Sequence, residues 1–366
     1  MSKDFGLRPA KDVSALRRDR IPSGSLYLDL ILGGGYVAGS SVELYGEPQT
    51  GKSLLAAKTG SVVSQGLWLP NKEQELNRDV GWWDVERQLD APWLEKLGID
   101  LEHLLVQDEF VFMEDALGSL VAAYEDRRCG LYVYDSVGAS IAKKDSDKNI
   151  DEALVTSTFN RAKVMGVAMN DLVAASRTVK GSDRDDYNPG LVLFLNHSQV
   201  DMKASSQYFT ATRSVGGTRL HHLVSTKLEL WVSHAKEHRV EIKVPGIKDP
   251  IPVGQTVFFE VKKHRGKGCK GHTGHFRVYT MDCEDDNGNP HDAGEIDRVR
   301  EIADILQGTI WGRSLMDPDS EEPVVKGAHY RWKDNKWHGI ENMVQDLYEQ
   351  PELRKEIEDA LLALVK

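Results

Sequence analysis

The sequence predicts an α/β fold in which a mostly parallel, twisted sheet carries helices on both faces and a small α+β module follows at the C-terminal end. Two observations predict it. Four apolar runs each end in polar residues, which is typical of buried parallel strands. Stretches with helical periodicity lie between these runs, as expected for strand–helix–strand units.

The composition is that of a globular chain with an acidic balance. Of 366 residues, 40% are apolar and 28% are charged, and the net charge is −11. No run of about 18 apolar residues predicts a transmembrane helix, and the N-terminus has no apolar signal core. Three cysteines are too few for a disulfide framework, so we expect a reducing, cytoplasmic setting. The charge excludes a protein that is basic all over, but a local basic stripe can still neutralise nucleic-acid phosphates.

The first strand–loop–helix unit carries the pattern G-x-x-x-x-G-K-[ST] of a phosphate-binding loop. Residues 41–45 alternate as a short strand, and a helix is predicted after the loop. Backbone N–H groups of such a loop point at phosphate oxygens, while Lys52 reaches the β- and γ-phosphates and Ser53 offers a hydroxyl to Mg²⁺. A glycine-rich turn that only caps a helix is the less favoured alternative. The predicted nucleotide contacts are Gly46, Glu47, Pro48, Gln49, Thr50, Gly51, Lys52, Ser53 and Leu54.

Polar residues follow the other three apolar runs. Because ligands gather at the carboxyl ends of strands in open α/β sheets, these residues are candidate site residues. Glu86 follows the second run, where a carboxylate is able to activate a water, although on spacing alone an ordinary surface carboxylate is the favoured interpretation. Asp135 ends the third run, the usual position of the carboxylate that holds the Mg²⁺ shell. Residues 196–199 follow the fourth run and are placed to contact a γ-phosphate.

Two segments carry cationic residues that are candidates for contact with DNA. A helix predicted over residues 151–175 carries Arg161 and Lys163 near its start, although a solvated helix face is the ordinary alternative. Residues 200–217 lack periodicity and mix cations with aromatic rings, which suits single-strand binding but also fits a plain surface loop. The candidate DNA contacts of this second segment are Lys203, Tyr208, Phe209, Arg213, Gly216 and Gly217.

The run of residues 262–270 is the clearest basic patch, with five lysine and arginine side chains and no acid. Two interpretations remain open, a phosphate contact or a hairpin edge protected by lysines. Zinc binding by Cys269, His272 and His275 is a less favoured alternative, because no matching second ligand pair accompanies them apart from Cys283.

The C-terminal part of the chain is predicted to form a separate module. Residues 282–294 are acidic and rich in turn formers, so they are predicted to be a linker. In residues 295–366 helices are predicted over 296–306, 340–347 and 352–365, with a hairpin about residues 334–335. The module's core is expected to include Trp311, Trp332 and Trp337.

Seven short sequence segments together resemble the RecA family of recombinases, and most of all its phage UvsX branch. They occur in the family's order and with similar spacing across residues 21–265. Residues 1–20 are polar and charged and are predicted to be a partly ordered N-terminal arm. The resemblance implies a RecA-like P-loop NTPase core over 21–281 and mobile DNA-binding loops near 146–163 and 200–217. The matching segments are residues 24–29, 46–53, 84–90, 97–100, 135–137, 195–197 and 216–217.

The resemblance also implies a role for individual residues. Glu86 matches the glutamate that activates the attacking water, which reverses the preference for a surface carboxylate. Asp135 matches the aspartate of the Mg²⁺ site, and His197 stands where the family senses the γ-phosphate. Asp90 and Trp93 match positions that hold adenine and stack on it.

Two features depart from the family pattern. Lys262 matches a lysine that reaches across the filament interface to the neighbour's ATP, but His264 stands where a second lysine falls. Lys263 and Arg265 are candidate substitutes. Residues 1–20 show no evident equivalent of the arm that packs on the adjacent subunit, so filament formation is implied by the resemblance alone.

The predicted function is an ATP- and Mg²⁺-dependent DNA recombinase. It would form a helical homo-oligomeric filament on single-stranded DNA, pair that strand with double-stranded DNA and hydrolyse ATP in response to DNA. A single-strand-binding protein and a loading mediator are expected partners, with no membrane contact, in a bacterial or phage-infected cytoplasm. The alternatives are a ring helicase or branch-migration ATPase, a non-catalytic DNA-binding mediator, and a small-molecule kinase.

Overall fold

A computed structural model describes residues 18–67, 77–146, 150–176, 187–200, 212–233, 235–266, 268 and 270–365. The strands in these residues are β1 (Arg20–Ile21), β2 (Tyr36–Val37), β3 (Ser41–Gly46), β4 (Val80–Asp84), β5 (Leu104–Gln107), β6 (Leu131–Asp135), β7 (Leu191–Val200), β8 (Thr212–Ser214), β9 (Thr226–Val232), β10 (Arg239–Ile242), β11 (Ile251–His264), β12 (Thr273–Tyr279), β13 (Cys283–Glu284), β14 (Pro290–His291), β15 (Val325–Lys326), β16 (His329–Trp332) and β17 (Asn335–His338).

The helices are α1 (Leu26–Ile31), α2 (Lys52–Ser64), α3 (Ala91–Lys96), α4 (Met113–Glu125), α5 (Lys143–Ser146), α6 (Ile150–Ala175), α7 (Gly217–Leu223), α8 (Arg298–Gly308), α9 (Ile310–Ser314), α10 (Ile340–Glu349) and α11 (Pro351–Ala363). None of the helices in the described ranges is long and apolar enough to cross a membrane.

A ten-stranded sheet forms the centre of the molecule, with the order β10-β11-β9-β3-β7-β6-β4-β5, β12 beside β11 and β8 beside β7. From β9 to β5 the neighbouring strands are parallel, whereas β11 is antiparallel to β9, β10 and β12. The predicted α/β class with a mostly parallel sheet is therefore confirmed. The carboxyl ends of β3, β4, β6 and β7 meet at one edge, because parallel strands in register end together.

Hydrophobic clusters cover both faces of the sheet, which explains why the strands are apolar throughout. In β7, Leu193 and Leu195 join the cluster that packs on α2, whereas Val192 and Phe194 join the cluster formed with α4 and α6. Successive side chains of a strand point to opposite faces, so a strand buried on both faces needs a continuous apolar run.

The C-terminal residues pack on the start of the core through a buried charged contact. Glu301 of α8 caps the N-terminus of α1, because its carboxylate accepts hydrogen bonds from the Ser25 hydroxyl (2.5 Å) and the Leu26 N–H (3.2 Å). Arg298 donates to Glu301 at 2.7 Å and to the carbonyl of Gly24 at 3.0 Å. Ser25 itself also caps α1, since its hydroxyl accepts from the N–H of Leu28.

Replacing Glu301 with alanine is expected to lower the free energy of unfolding by about 3–5 kcal/mol, the usual effect of breaking a buried ion pair. The substitution leaves the Arg298 guanidinium without its nearest carboxylate and removes a cap from α1. Equilibrium denaturation measures the change, and Glu349→Ala, at an exposed position of the neighbouring α10, is the control. An unchanged transition in Glu301→Ala would contradict the structural role of this contact.

Several C-terminal elements agree with the sequence predictions. A hairpin turns between β16 and β17, where Trp332 and Trp337 are buried and Trp311 packs against the same cluster. Residues 282–294 were predicted as a linker, and in the structure they include the short β13–β14 pair. Asp282 in this segment forms an ion pair with Lys96 at 2.6 Å, which connects it to α3.

Candidate active site

The phosphate-binding loop joins β3 to α2, as predicted. Gly46 ends the strand, and a Cβ atom there would lie 2.2 Å from the carbonyl oxygen of Leu230, so only glycine fits. Within the loop the Thr50 hydroxyl donates to the carbonyl of Glu47 at 2.8 Å. Gly51 precedes the helix and has no side chain to cap it, which leaves the N–H groups of the first turn available to an anion.

Lys52 lies inside the loop. Its ammonium donates to the carbonyls of Gly46 (3.1 Å) and Glu47 (2.6 Å), and the side chain is 8% exposed. Burial lowers the pKa of Lys52, while the nearby carboxylates of Asp135 and Glu86 act in the opposite direction. A desolvated cation held by carbonyls only is a favourable partner for phosphate oxygens.

Ser53 and Asp135 form the second part of the site. The Ser53 hydroxyl donates to the Asp135 carboxylate at 3.2 Å, across the gap between α2 and β6. Burial, and after it the carboxylate of Glu86, raises the pKa of Asp135 to about 7. A hydroxyl beside a carboxylate, next to the loop expected to bind phosphates, fits Mg²⁺, which takes one or two protein oxygens and shares the rest of its shell with phosphates.

A full protein cage for a metal is absent from the part of the chain that the structure describes, where no three His, Cys, Asp or Glu side chains gather around one point. The zinc alternative stays a prediction, because one of its three proposed ligands lies outside the described residues. His275 pairs with Asp304 at 2.9 Å, and Cys269 lies outside the described residues.

Three polar side chains meet beside the loop at the ends of β4, β6 and β7. The His197 Nε2 atom lies 3.0 Å from Glu86 Oε1 and 3.1 Å from the Ser136 hydroxyl oxygen, and that hydroxyl donates to the same carboxylate oxygen of Glu86. Glu86 is 22% and His197 is 34% exposed, so solvent reaches both groups. A carboxylate in this position is able to orient a water and accept its proton.

The backbone turn after β4 fixes the position of Glu86. Asp84 is buried, and its carboxylate accepts hydrogen bonds from the N–H groups of Gln88 (3.2 Å) and Leu89 (3.0 Å). The N–H of Val85 donates to the carbonyl of Asp135 at 2.7 Å. These contacts hold the turn against β6, so Glu86 points along the edge where the loop lies.

The comparison with known proteins agrees with this geometry. The family model for the RecA N-terminal domain matches residues 4–251, well over half of the chain. This chain belongs to the RecA family. A Protein RecA of Petrotoga mobilis is 30% identical over 212 residues, which are 57% of this chain and 50% of that protein. The Protein RecA of Methylococcus capsulatus is 29% identical over 268 residues, which cover 71% of this chain and 70% of that protein. The Protein RecA of Ruminococcus albus is 26% identical over an alignment of 375 residues, which covers 99% of this chain and 78% of that protein. The matched region thus spans only half of the first of these relatives.

The residues predicted to contact adenine lie at the start of α3. Asp90 is exposed and caps this helix, with its carboxylate 3.5 Å from the N–H of Trp93. Trp93 is partly buried against the main hydrophobic cluster. Their contact with adenine stays a prediction.

Described residues of the two segments predicted to bind DNA contact each other where α7 begins. Gly217 begins α7 directly against α6, where a Cβ atom would lie 2.5 Å from the Cβ of Ala162. Arg161 donates to the carbonyl of Ser140 at 3.1 Å, whereas Lys163 and Arg213 are exposed. Residues 150–163 are helical, and Lys203, Tyr208 and Phe209 lie outside the described residues.

The basic patch predicted at residues 262–270 lies at the end of β11, and its cations have different partners. Lys262 forms ion pairs with Glu229 (2.8 Å) and Glu260 on one side of the strand. Lys263 and Arg265 donate instead to carbonyls at the C-terminus of α7. These two candidate substitutes for the second interface lysine are thus engaged within their own subunit, while His264 contacts Thr226 at 2.9 Å.

Sequence reasoning missed two residues of this site, Ser136 and Gly138. The sequence shows the Asp-Ser pair at the end of β6, but no neighbouring residue indicates that the Ser136 hydroxyl contacts Glu86, which lies 50 positions away. Gly138 lies against the His197 ring, where a Cβ atom would be 2.2 Å from Cδ2. That Gly138 leaves room for the His197 ring can be recognised only from the packing of β7 beside β6.

Proposed function

We propose that this RecA-family chain is an ATP-dependent DNA recombinase that polymerises on single-stranded DNA and catalyses homologous pairing and strand exchange. The observation that carries this proposal is the contact of Glu86, Ser136 and His197 beside the phosphate-binding loop. A nucleotide-binding protein without hydrolysis has no need of a water-activating carboxylate at this point. The marks shared with the UvsX branch support a phage-type member of the family.

The chemistry is ATP hydrolysis with Mg²⁺, in which the nucleotide supplies the phosphoanhydride and the metal offsets its charge. The loop N–H groups and Lys52 bind the phosphates, and Ser53 with Asp135 holds the metal. Glu86 orients the attacking water and accepts its proton. The proposed sensor of the terminal phosphate is His197, whose Nε2 atom contacts the carboxylate that orients the water at 3.0 Å.

DNA is bound by the surface where α6, α7 and β8 meet. Lys163 and Arg213 are exposed there and neutralise phosphates, as do Arg161 and Lys203, while Tyr208 and Phe209 stack on bases. The glycine pair Gly216–Gly217 lets this segment approach α6. Recognition of homology needs no base-specific contacts, because pairing between the strands supplies it.

Assembly of the filament places Lys262 of one subunit at the ATP of the next. Asp90 and Trp93 complete the adenine side of that site. The proposed division is an arm at residues 1–20, an ATPase core at 21–281, a linker at 282–294 and a C-terminal module at 295–366. The proposed partners are single- and double-stranded DNA, a single-strand-binding protein and a loading mediator in a bacterial or phage-infected cytoplasm.

The test is ATP hydrolysis with and without single-stranded DNA, on wild type and on Lys52→Ala. We expect strong stimulation by DNA in the wild type and none in the variant, because Lys52 contacts the phosphates in every active state. Hydrolysis indifferent to DNA would overturn the recombinase proposal in favour of a kinase or a mediator. Electron microscopy then separates an open filament from the closed ring of a helicase.

A further inference from the structure

A buried polar cluster lies beneath the candidate active site. Glu43 of β3, Asn196 of β7 and Lys227 of β9 are 0%, 0% and 6% exposed. They lie on three neighbouring strands of the sheet. Buried charges and amides are costly unless each has a partner, so such a cluster among apolar strands requires an explanation.

Asn196 has a single possible orientation. Its Oδ1 atom accepts from the N–H of His197 at 2.9 Å, while its Nδ2 atom donates to Glu43 (2.8 Å) and to the carbonyl of Val215 (2.7 Å). A flipped amide would place its oxygen against two acceptors, so this assignment is the one that satisfies all four groups. The side chain therefore connects the backbone of His197 to the residue that follows β8.

Lys227 makes the second connection to the same segment. Its ammonium donates to the Ser214 hydroxyl at 2.6 Å and lies 3.2 Å from the Glu43 carboxylate. It also lies 4.5 Å from the centre of the Tyr45 ring, next to Gly46 of the phosphate-binding loop. Ser214 therefore contacts Lys227 of β9, and Val215 contacts Asn196 of β7. These two strands flank β3, which leads into the phosphate-binding loop.

β8 is tied to β7 by its backbone as well. Ser214 pairs with Ser198 and Arg213 with Gln199, immediately after His197. A shift of the His197 backbone would therefore change the contacts of residues 212–215. This segment ends at Gly216–Gly217, against the helix that carries Arg161 and Lys163.

We propose that Glu43, Asn196 and Lys227 are positioning residues that couple the nucleotide-sensing His197 to the DNA-facing residues 212–217. The inference rests on the proposed function, since it assigns the route by which DNA stimulates hydrolysis. Lys227, paired with Glu43, holds Ser214 of β8 through its hydroxyl, and β8 in turn pairs with the residues that follow His197. Contacts that differ between two states of a segment are what allows one site to bias another.

The experiment measures the ratio of ATP hydrolysis rates with and without a dT oligonucleotide. The double variant Glu43→Gln/Lys227→Met removes both charges together and leaves no unpaired buried ion. We expect its ratio to fall by about 5- to 150-fold, the range of typical coupling between sites. Ser214→Ala removes only the hydroxyl that binds Lys227, does not disturb the buried pair, and is expected to lower the ratio in the same direction.

The control is Arg298→Met, which leaves the buried Glu301 of α8 without its cation, away from the site, and should lower the melting temperature without changing the ratio. An undiminished ratio in the double variant and in Ser214→Ala would overturn the inference while the recombinase proposal stands. Equal loss in Arg298→Met would overturn it too, because general destabilisation would then explain the effect. If DNA does not stimulate ATP hydrolysis by the wild type, the proposed function itself is wrong.

Discussion

Glu86→Gln is expected to lower kcat for ATP hydrolysis by about 10²–10⁴-fold, the usual contribution of a positioned general base. The amide keeps the size of the side chain and still reaches Ser136 and His197, but it cannot accept a proton from water. Binding of ATP should persist, because the phosphate contacts come from the loop and Lys52. Steady-state hydrolysis and nucleotide titration measure the two quantities separately.

The control for this substitution is Glu109→Gln, which makes the same chemical change at an exposed position. Its kcat should match that of the wild type. In the proposed recombinase, Glu86→Gln should also lengthen the lifetime of filaments on DNA, since hydrolysis weakens the contact between subunits. If Glu86→Gln still hydrolyses ATP at the wild-type rate, Glu86 is not the general base.

Local order alone identifies two parts of the site. The eight-residue loop pattern and Asp135 at the end of a strand can each be read within one strand–turn unit, whereas the role of Glu86 after another strand is implied only by the family resemblance. Parallel strands then place these ends at one edge without further information. For the same reason the α/β class and the buried strands could be predicted.

Contacts between distant segments could not be predicted in this way. Ser25 and Glu301 are 276 residues apart, and no local signal indicates that one helix caps the other. Asn196 reads as one more polar residue at a strand end. The register of β3 and β7 pairs Glu43 with Phe194, two residues before Asn196 on the same face, which lets the Asn196 amide reach the Glu43 carboxylate. The partners of Lys263 and Arg265 likewise depend on where α7 ends.

Gly138→Ala tests the least predictable part of the site, the space that the His197 ring occupies. An added Cβ would lie 2.2 Å from Cδ2 and 2.9 Å from Cγ of the imidazole, closer than atoms pack, so the ring must move. It then loses the contacts of 3.0 Å with Glu86 and 3.1 Å with Ser136. We expect kcat to fall by about 10²-fold, the effect of a displacement of roughly 1 Å in a catalytic group. Steady-state hydrolysis measures it, with circular dichroism as the check on folding.

Gly118→Ala is the matched control, because this glycine lies on the exposed side of α4 with no atom near the added Cβ. It should leave hydrolysis unchanged and add about 1 kcal/mol of stability, as alanine does in a helix. A double-mutant cycle with His197→Ala assigns the cause, since contacts between the two positions appear as a departure from additivity. Without the ring there is nothing to displace, so Gly138→Ala should then cost little further activity. Additive losses would mean that the added methyl acts through the backbone of the turn after β6 and not through His197.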